Sequence, residues 1–216
     1  MRSIISIVGR SESGKTTLLE GLIIELKQRG YRVAVIKHAS DDFELDKVGK
    51  DSWRLSQAGS EVVAISSPKK LAVIKQVEHD LNPRELFHFI DGDYDLLLTE
   101  GFKQGSTLKI EVHRKEQGEG LLCPPRQLLA VVTDEPLSVD VPQFTKEEVR
   151  GLANLIENRL LAQRKEDDVD LVINNVPVPL NRFVRSFLVK MLLGMVSALE
   201  GVKEVKSLRI RLRRKT

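Results

Sequence analysis

The chain has 216 residues, of which 41% are hydrophobic and 30% charged, and a formal net charge of +3. That is enough apolar material for one ordinary domain plus a small appendage, and it excludes a disordered, charge-dominated chain. No run of about 18 apolar residues occurs, so no membrane span is expected. Cys123 is the sole cysteine, which excludes an intrachain disulfide. No cleavage-site pattern follows the first apolar run, and the expected compartment is the cytoplasm. Charge is unevenly placed: residues 1–167 hold 24 Lys/Arg and 27 Asp/Glu, residues 168–216 hold 10 and 4. The basicity therefore belongs to the tail.

In chain order, Ile4 to Val8 is a short apolar run closed by glycine, the pattern of a buried parallel strand. Leu18, Leu19, Leu22, Ile23 and Leu26 recur at helical spacing, and Gly30 is placed to end that helix. Residues 32–38 (RVAVIKH) predict a second buried strand, 39–46 a polar loop, and 50–59 a short helix. EVVAISS and KLAVIKQV predict two more strands with Pro68 between them. Residues 82–90 predict a helix with Asn82 as N-cap and Pro83 at its first position. YDLLLTEGF (94–102) is an apolar strand ending in charge, LKIEVHR (108–114) alternates as a strand does, and QLLAVVTD (127–134) is a further buried strand. Thr145 to Glu148 is a capping box opening a helix to 161. Apolar strands alternating with helices predict an α/β domain with a mainly parallel sheet over residues 1–163.

The charged stretch 162–168 marks a boundary, and 168–216 is expected to be a small α+β extension of hairpin, helix and strand. Asn174-Asn175 is a hairpin turn signal. Asn181 is a candidate N-cap and Gly201 a candidate C′ residue. The helix between them is apolar around most of its circumference and wants a second surface, from the main domain or another chain. In SLRIRLRRK, Leu208, Ile210 and Leu212 alternate with Arg209, Arg211 and Arg213. The arginines suit a solvated edge strand or a surface for an anion or a partner. Nucleic acid is not expected, since no aromatics interleave with these bases.

The chemistry sits near the start. Gly9-x4-Gly14-Lys15-Thr16, between a buried strand and a helix, matches the phosphate-binding loop in full. Glycines let the backbone curl so that its N–H groups face phosphate oxygens, and the helix N-terminus adds donors and a positive dipole end. Lys15 then reaches the β- and γ-phosphates and the Thr16 hydroxyl ligates Mg²⁺. A carboxylate is needed beside that ion. Glu100 ends an apolar strand at the ligand-bearing sheet edge, whereas Asp95 lies about 16 Å away at the other end of the same strand. No Asn-Lys-x-Asp guanine reader occurs. Thr133 and Asp134 are the candidate base readers, because a carboxylate accepts from guanine N1–H and N2–H₂; a plain turn before Pro136 fits the same residues. Arg10 is expected to face solvent or a second subunit.

The segments GRSESGKTTLLEGLIIELKQRGYRVAVIKHA, DKVGKDSWRLSQAGSEVVAISS, DLLLTEGFKQGSTLKIEVHR and VVTDEPL together resemble the molybdopterin-guanine dinucleotide biosynthesis adaptor family (MobB) over residues 1–163. The resemblance implies a P-loop NTPase three-layer sandwich that binds GTP with Mg²⁺, hydrolyses it slowly at best and forms a homodimer. It also implies a role assisting the guanylyltransferase that makes molybdopterin guanine dinucleotide, with molybdopterin itself a further candidate ligand. Carried onto this chain, Gly9, Arg10, Ser11, Glu12, Ser13, Gly14, Lys15, Thr16 and Thr17 hold the phosphates. Thr16, Asp46 and Glu100 sit at the metal, and Lys15 and Asp46 are the catalytic candidates. Lys37, His38, Lys50, Asp51 and Lys103 line the site. The family's second histidine, two residues after His38, is replaced here by Ser40, and residues 168–216 exceed the short family version.

A different class uses the same electrostatics: a small-molecule kinase transferring the γ-phosphoryl group. It needs a base beside an acceptor hydroxyl and a water-excluding lid. Asp46 is the one candidate base, and residues 103–126, with Arg114 and Arg126, predict strand and turn rather than a helical lid.

Overall fold

Apolar runs bounded by glycine and polar turns form the strands, and the leucine spacing of residues 18–26 forms the first helix, as the sequence predicts. The computed structural model describes residues 3–39, 43, 47–87, 89–90, 92, 94–118, 120–162, 169, 171–174, 176–201, 205, 208, 210 and 212. The elements are β1 (Ser3–Gly9), α1 (Lys15–Gln28), β2 (Val33–Lys37), α2 (Asp51–Gln57), β3 (Val62–Ser66), β4 (Leu71–Lys75), α3 (Pro83–Phe87) and β5 (Leu96–Glu100). They continue with β6 (Leu108–Val112), β7 (Leu128–Val132), β8 (Gln143–Phe144), α4 (Val149–Ile156), β9 (Leu171–Ile173), β10 (Val176–Val178) and α5 (Arg182–Ser197).

Six strands form one sheet in the order β2-β5-β1-β6-β7-β8, and every pairing in it is parallel. β1 is thus interior, flanked by β5 on one side and β6 on the other. One face packs against α1 and α4 through Ile5, Ile7, Leu18, Leu22, Leu26, Leu98, Ile110, Leu152 and Ile156. Each such side chain contributes about 1.5–3 kcal/mol on burial. Helix α1 ends in a Schellman turn: the Tyr31 N–H donates to the Leu26 carbonyl and the Gly30 N–H to that of Lys27. On the other face Val8, Leu128 and Val131 lie under Cys123, Leu121, Leu137 and Val141. The sheet, with its flanking helices, is the P-loop NTPase α/β architecture.

β3 and β4 do not join this sheet. They pair antiparallel with each other, Val62 opposite Lys75. Their connection is too short for a crossover, and it is closed by the Ser67 N–H on the Lys70 carbonyl at 2.8 Å. Asn82 caps α3 as expected, its Oδ1 accepting from the Arg84 and Glu85 N–H groups at 3.0 and 3.2 Å. The Glu148 carboxylate accepts the Thr145 N–H at 2.7 Å, yet the α-helix begins only at Val149 and passes into a π-turn over Glu157–Leu161. β8, only two residues long, has no period to announce it in the sequence.

In the tail, β9 and β10 form the expected hairpin, with Asn174 left-handed at φ 51°. Asn181 caps α5 by accepting the Val184 N–H at 2.9 Å. Gly201 is not the C′ residue. The helix closes earlier, where the Leu199 N–H turns onto the Val196 carbonyl at 3.0 Å. No residue of α5 is buried; Phe183 is 79% and Met195 61% exposed. Among the described residues no strand follows α5; Arg209, Arg211 and Arg213 lie outside the described residues.

Candidate nucleotide site

The parallel sheet brings the C-terminal ends of β1, β2, β5, β6 and β7 to one edge, where Gly9, Lys37, Glu100 and the residues just after Val112 and Val132 stand. The loop leaves β1 at Gly9, whose φ is 157° and which lies against β6. A methyl group on it would meet the Val112 carbonyl oxygen at 2.6 Å and Ser13 Oγ at 2.7 Å. Gly14, at φ 92°, is the left-handed N-cap from which α1 starts. Glu12 between them is also left-handed, at φ 59°. These conformations are strained for side chains and curl the chain so that main-chain N–H groups converge, as an anion cup requires. Ser13 is 1% exposed, and its hydroxyl has no partner among the described residues. A buried unpaired donor is costly, and inside this loop a phosphate oxygen would satisfy it.

Lys15 folds over the loop, its Nζ donating to the Arg10 carbonyl at 2.6 Å. Thr16 points to the β5 side, where its hydroxyl donates to Glu100 Oε2 at 2.9 Å. Glu100, at the end of β5, is thus within hydrogen-bond reach of the first turn of α1. Asp95 is engaged elsewhere, accepting from the Arg32 N–H at 2.7 Å. The Lys37 ammonium stands 4.0 Å from Glu100 Oε1. Partial burial holds the Lys15 ammonium below its ordinary pKa. Glu100 opposes that shift, and the neighbouring charges of Lys103 and Lys37 add to it. Three lysines thus crowd one carboxylate, an arrangement that an arriving polyanion relieves.

His38, at the end of β2, donates its backbone N–H to the Glu100 carbonyl at 3.0 Å. Its ring bonds Asp80 at 3.0 Å and packs on Phe102, tilted by 33° with centroids 4.4 Å apart. Lys50 and Asp51 open α2, and Asp51 pairs within that helix with Arg54 at 3.8 Å. Asp46 and Ser40 lie outside the described residues.

At the end of β7 the Thr133 hydroxyl is used locally, donating to the Glu135 carbonyl at 2.9 Å and accepting the Glu135 N–H at 3.2 Å. Asp134 is exposed, and its Oδ1 accepts the Lys115 N–H at 3.0 Å. That bond, with Arg114 and His113 nearby, keeps its carboxyl below the usual carboxylate range. Asp134 is thus an ionised acceptor with a second oxygen to offer.

Sequence reading missed the segment after β6. Gln117 Nε2 donates to the Ser11 carbonyl at 2.8 Å, so a 3₁₀ turn over Lys115–Gln117 is fastened onto the loop. The Arg10 guanidinium runs along this turn rather than only into solvent. A Cβ on Gly118 would lie 3.4 Å from its Nη2. The alternation of LKIEVHR (108–114) predicts the strand that leads into this stretch, and it does not say which loop the stretch touches. The same strand carries buried charge on one face. Lys109 Nζ donates to the Gly105 and Thr107 carbonyls and to Gln127 Oε1; Glu111 accepts the Leu122 and Cys123 N–H groups at 2.6 and 2.9 Å; His113 bonds Glu135 at 3.0 Å.

Among the described residues no helix is long and apolar enough to cross a membrane, and no cluster of three or more His, Cys, Asp or Glu forms a metal site. Comparison with known proteins places the chain. Residues 4–134 match the family model for molybdopterin guanine dinucleotide synthesis protein B (MobB). The chain is 40% identical over 158 residues to the molybdopterin-guanine dinucleotide biosynthesis adapter protein of Haemophilus influenzae, covering 73% of this chain and 89% of that one. A Methanocaldococcus jannaschii protein that carries the adapter name provisionally is 25% identical, over 96% of each chain, so its match runs through the tail. A crystal structure of molybdopterin-guanine biosynthesis protein B superposes with a TM-score of 0.54 at 35% identity, covering 72% of this chain and 98% of that one. Taken together, these matches make the chain a member of the MobB family.

Proposed function

We propose that the protein is a GTP-binding adaptor in molybdopterin guanine dinucleotide biosynthesis, acting in the cytoplasm as a homodimer. It binds Mg-GTP in the loop Gly9–Thr17, turns it over slowly at most, and assists the guanylyltransferase. The observation that carries the reading is the Thr16–Glu100 hydrogen bond at 2.9 Å beneath the glycine loop, with the lysines around it. The name of the Haemophilus influenzae relative supplies the adapter role.

A hydroxyl and a carboxylate side by side are the hard oxygen donors that Mg²⁺ prefers, so the residues fit that ion. Thr16 and Glu100 would hold it, with Asp46 the third candidate, and bound Mg²⁺ would neutralise charge on the β- and γ-phosphates. The chain's own groups then divide the work. The loop amides and the Ser13 hydroxyl cradle phosphate oxygens. Lys15 moves from the Arg10 carbonyl to the phosphates. Lys37 and Lys103 balance the remaining charge, with His38, Lys50 and Asp51 at the rim. On the base side Thr133 sets the turn that presents Asp134 to guanine N1–H and N2–H₂.

Calorimetric titration of GTP, with ATP in parallel and Mg²⁺ present, tests this. The wild-type chain is expected to bind GTP more tightly than ATP. Lys15→Ala is expected to weaken GTP binding at least about a hundredfold, since it removes a charge-assisted contact to two phosphates. Its circular dichroism and melting should stay native, because Lys15 bonds only its own loop. Retained GTP affinity in Lys15→Ala sinks the proposal.

A further inference from the structure

Arg114 has no role in the reading above, yet its guanidinium lies on the phosphate loop. β6 runs beside β1 on the side away from β5, and its Val112 pairs with Gly9. Two residues beyond, the half-buried Arg114 turns back so that a Cβ on Gly14 would be 3.5 Å from its Nη2. Nη1 makes only a long bond of 3.4 Å to the His113 carbonyl. Arg114 forms no ion pair with a described residue. Among the described residues most of its five donors thus have no partner, beside the point where α1 presents its N-terminus.

The backbone on either side is pinned. His113 bonds Glu135, the Lys115 N–H bonds Asp134, and Gln117 holds the Ser11 carbonyl. Gln117 Oε1 is buried with no donor among the described residues. A planar fork held in place at low entropy cost is suited to two oxygens of one phosphate.

Resting on the nucleotide reading, we infer that Arg114 is a nucleotide-contacting residue that grips the diphosphate part of a nucleoside di- or triphosphate from the β6 side. Lys15 acts from above and the Thr16–Glu100 pair from the β5 side. Glu100 and Arg114 flank β1 on opposite sides, so Arg114 is turned away from the metal and γ-phosphate end. It serves GDP and GTP alike and is not a finger for hydrolysis.

Titrations of GTP and GDP into wild type, Arg114→Ala and Arg114→Lys test this. Arg114→Ala is expected to lower both affinities by the same factor, about ten- to a hundredfold. Arg114→Lys should recover part of that loss, because it restores charge without the fork. Two results overturn the inference while leaving the nucleotide reading standing: wild-type affinities in both variants, or a loss for GTP alone with GDP unchanged. If the wild-type chain binds neither nucleotide, the reading itself fails and the inference falls with it. Native melting of the lysine variant checks that the fold is kept.

Discussion

The sheet around the phosphate loop and the tail after residue 168 break opposite rules. In the first, charged side chains are buried: Lys109 is 0% and Glu111 1% exposed. In the second, the apolar positions Phe183, Phe187, Met191 and Met195, four residues apart along α5, and Leu199 just beyond it, are exposed. Buried charge is tolerated where every polar atom is met, and Lys109 and Glu111 each have two or more backbone or amide partners. An apolar helical stripe left bare has no such internal solution; only another surface resolves it. The buried charges of β6 are thus met within the body, whereas the apolar stripe of α5 is met by nothing among the described residues.

The largest expected effect comes from unmaking a buried charge. Glu111→Ala removes the acceptor of the Leu122 and Cys123 N–H groups and leaves the Cys123 donor buried without it. The expected loss is about 3 kcal/mol of unfolding free energy, read from the urea midpoint. Cys123 supplies a second readout. It is 4% exposed, and burial first, then Glu111, raises its thiol pKa. In the variant it should react faster with a thiol reagent. An unchanged midpoint with unchanged reactivity means that the carboxylate does not hold this loop.

Much of this body was legible in the sequence, for a physical reason. The glycine loop between β1 and α1, the leucine helix and the apolar strand that ends at Glu100 are local patterns set by neighbours one to seven residues away. The parts that were not legible depend on contacts far along the chain. Gln117 meets Ser11 across 106 positions, and His38 meets Asp80 across 42. Residues 108–114 show the limit well. Their alternation predicts a strand correctly, but an alternating charged face ordinarily meets water. Here the loops after β5, β6 and β7 fold over that face, and nothing in the strand itself says so. The hairpin of β3 and β4 was likewise legible as two strands but not as a pair apart from the sheet.

A smaller effect is expected at Asp134. Its Oδ1 orients on the Lys115 N–H at 3.0 Å, a bond that an asparagine carbonyl can also accept. Asp134→Asn therefore keeps the turn and removes the charge that would face guanine. The ratio of GTP to ATP affinity should fall about tenfold, the worth of one charged hydrogen bond. Parallel weakening of both nucleotides removes Asp134 as the base reader.

The smallest effect on nucleotide binding is expected from the tail, and there the comparison is sharpest. We propose that residues 168–216 form a unit separate from 1–163. Truncation after 167 should then leave GTP affinity within roughly twofold, as for any distant, independent site. The same truncation removes the whole exposed stripe from Phe183 to Leu199, so it should change the mass measured by light scattering if a second copy of the chain covers α5. An unchanged mass at equal concentration removes self-association from the tail. A large fall in GTP affinity instead joins the tail to the nucleotide site and undoes the division at 163–168. The two regions would then share one task.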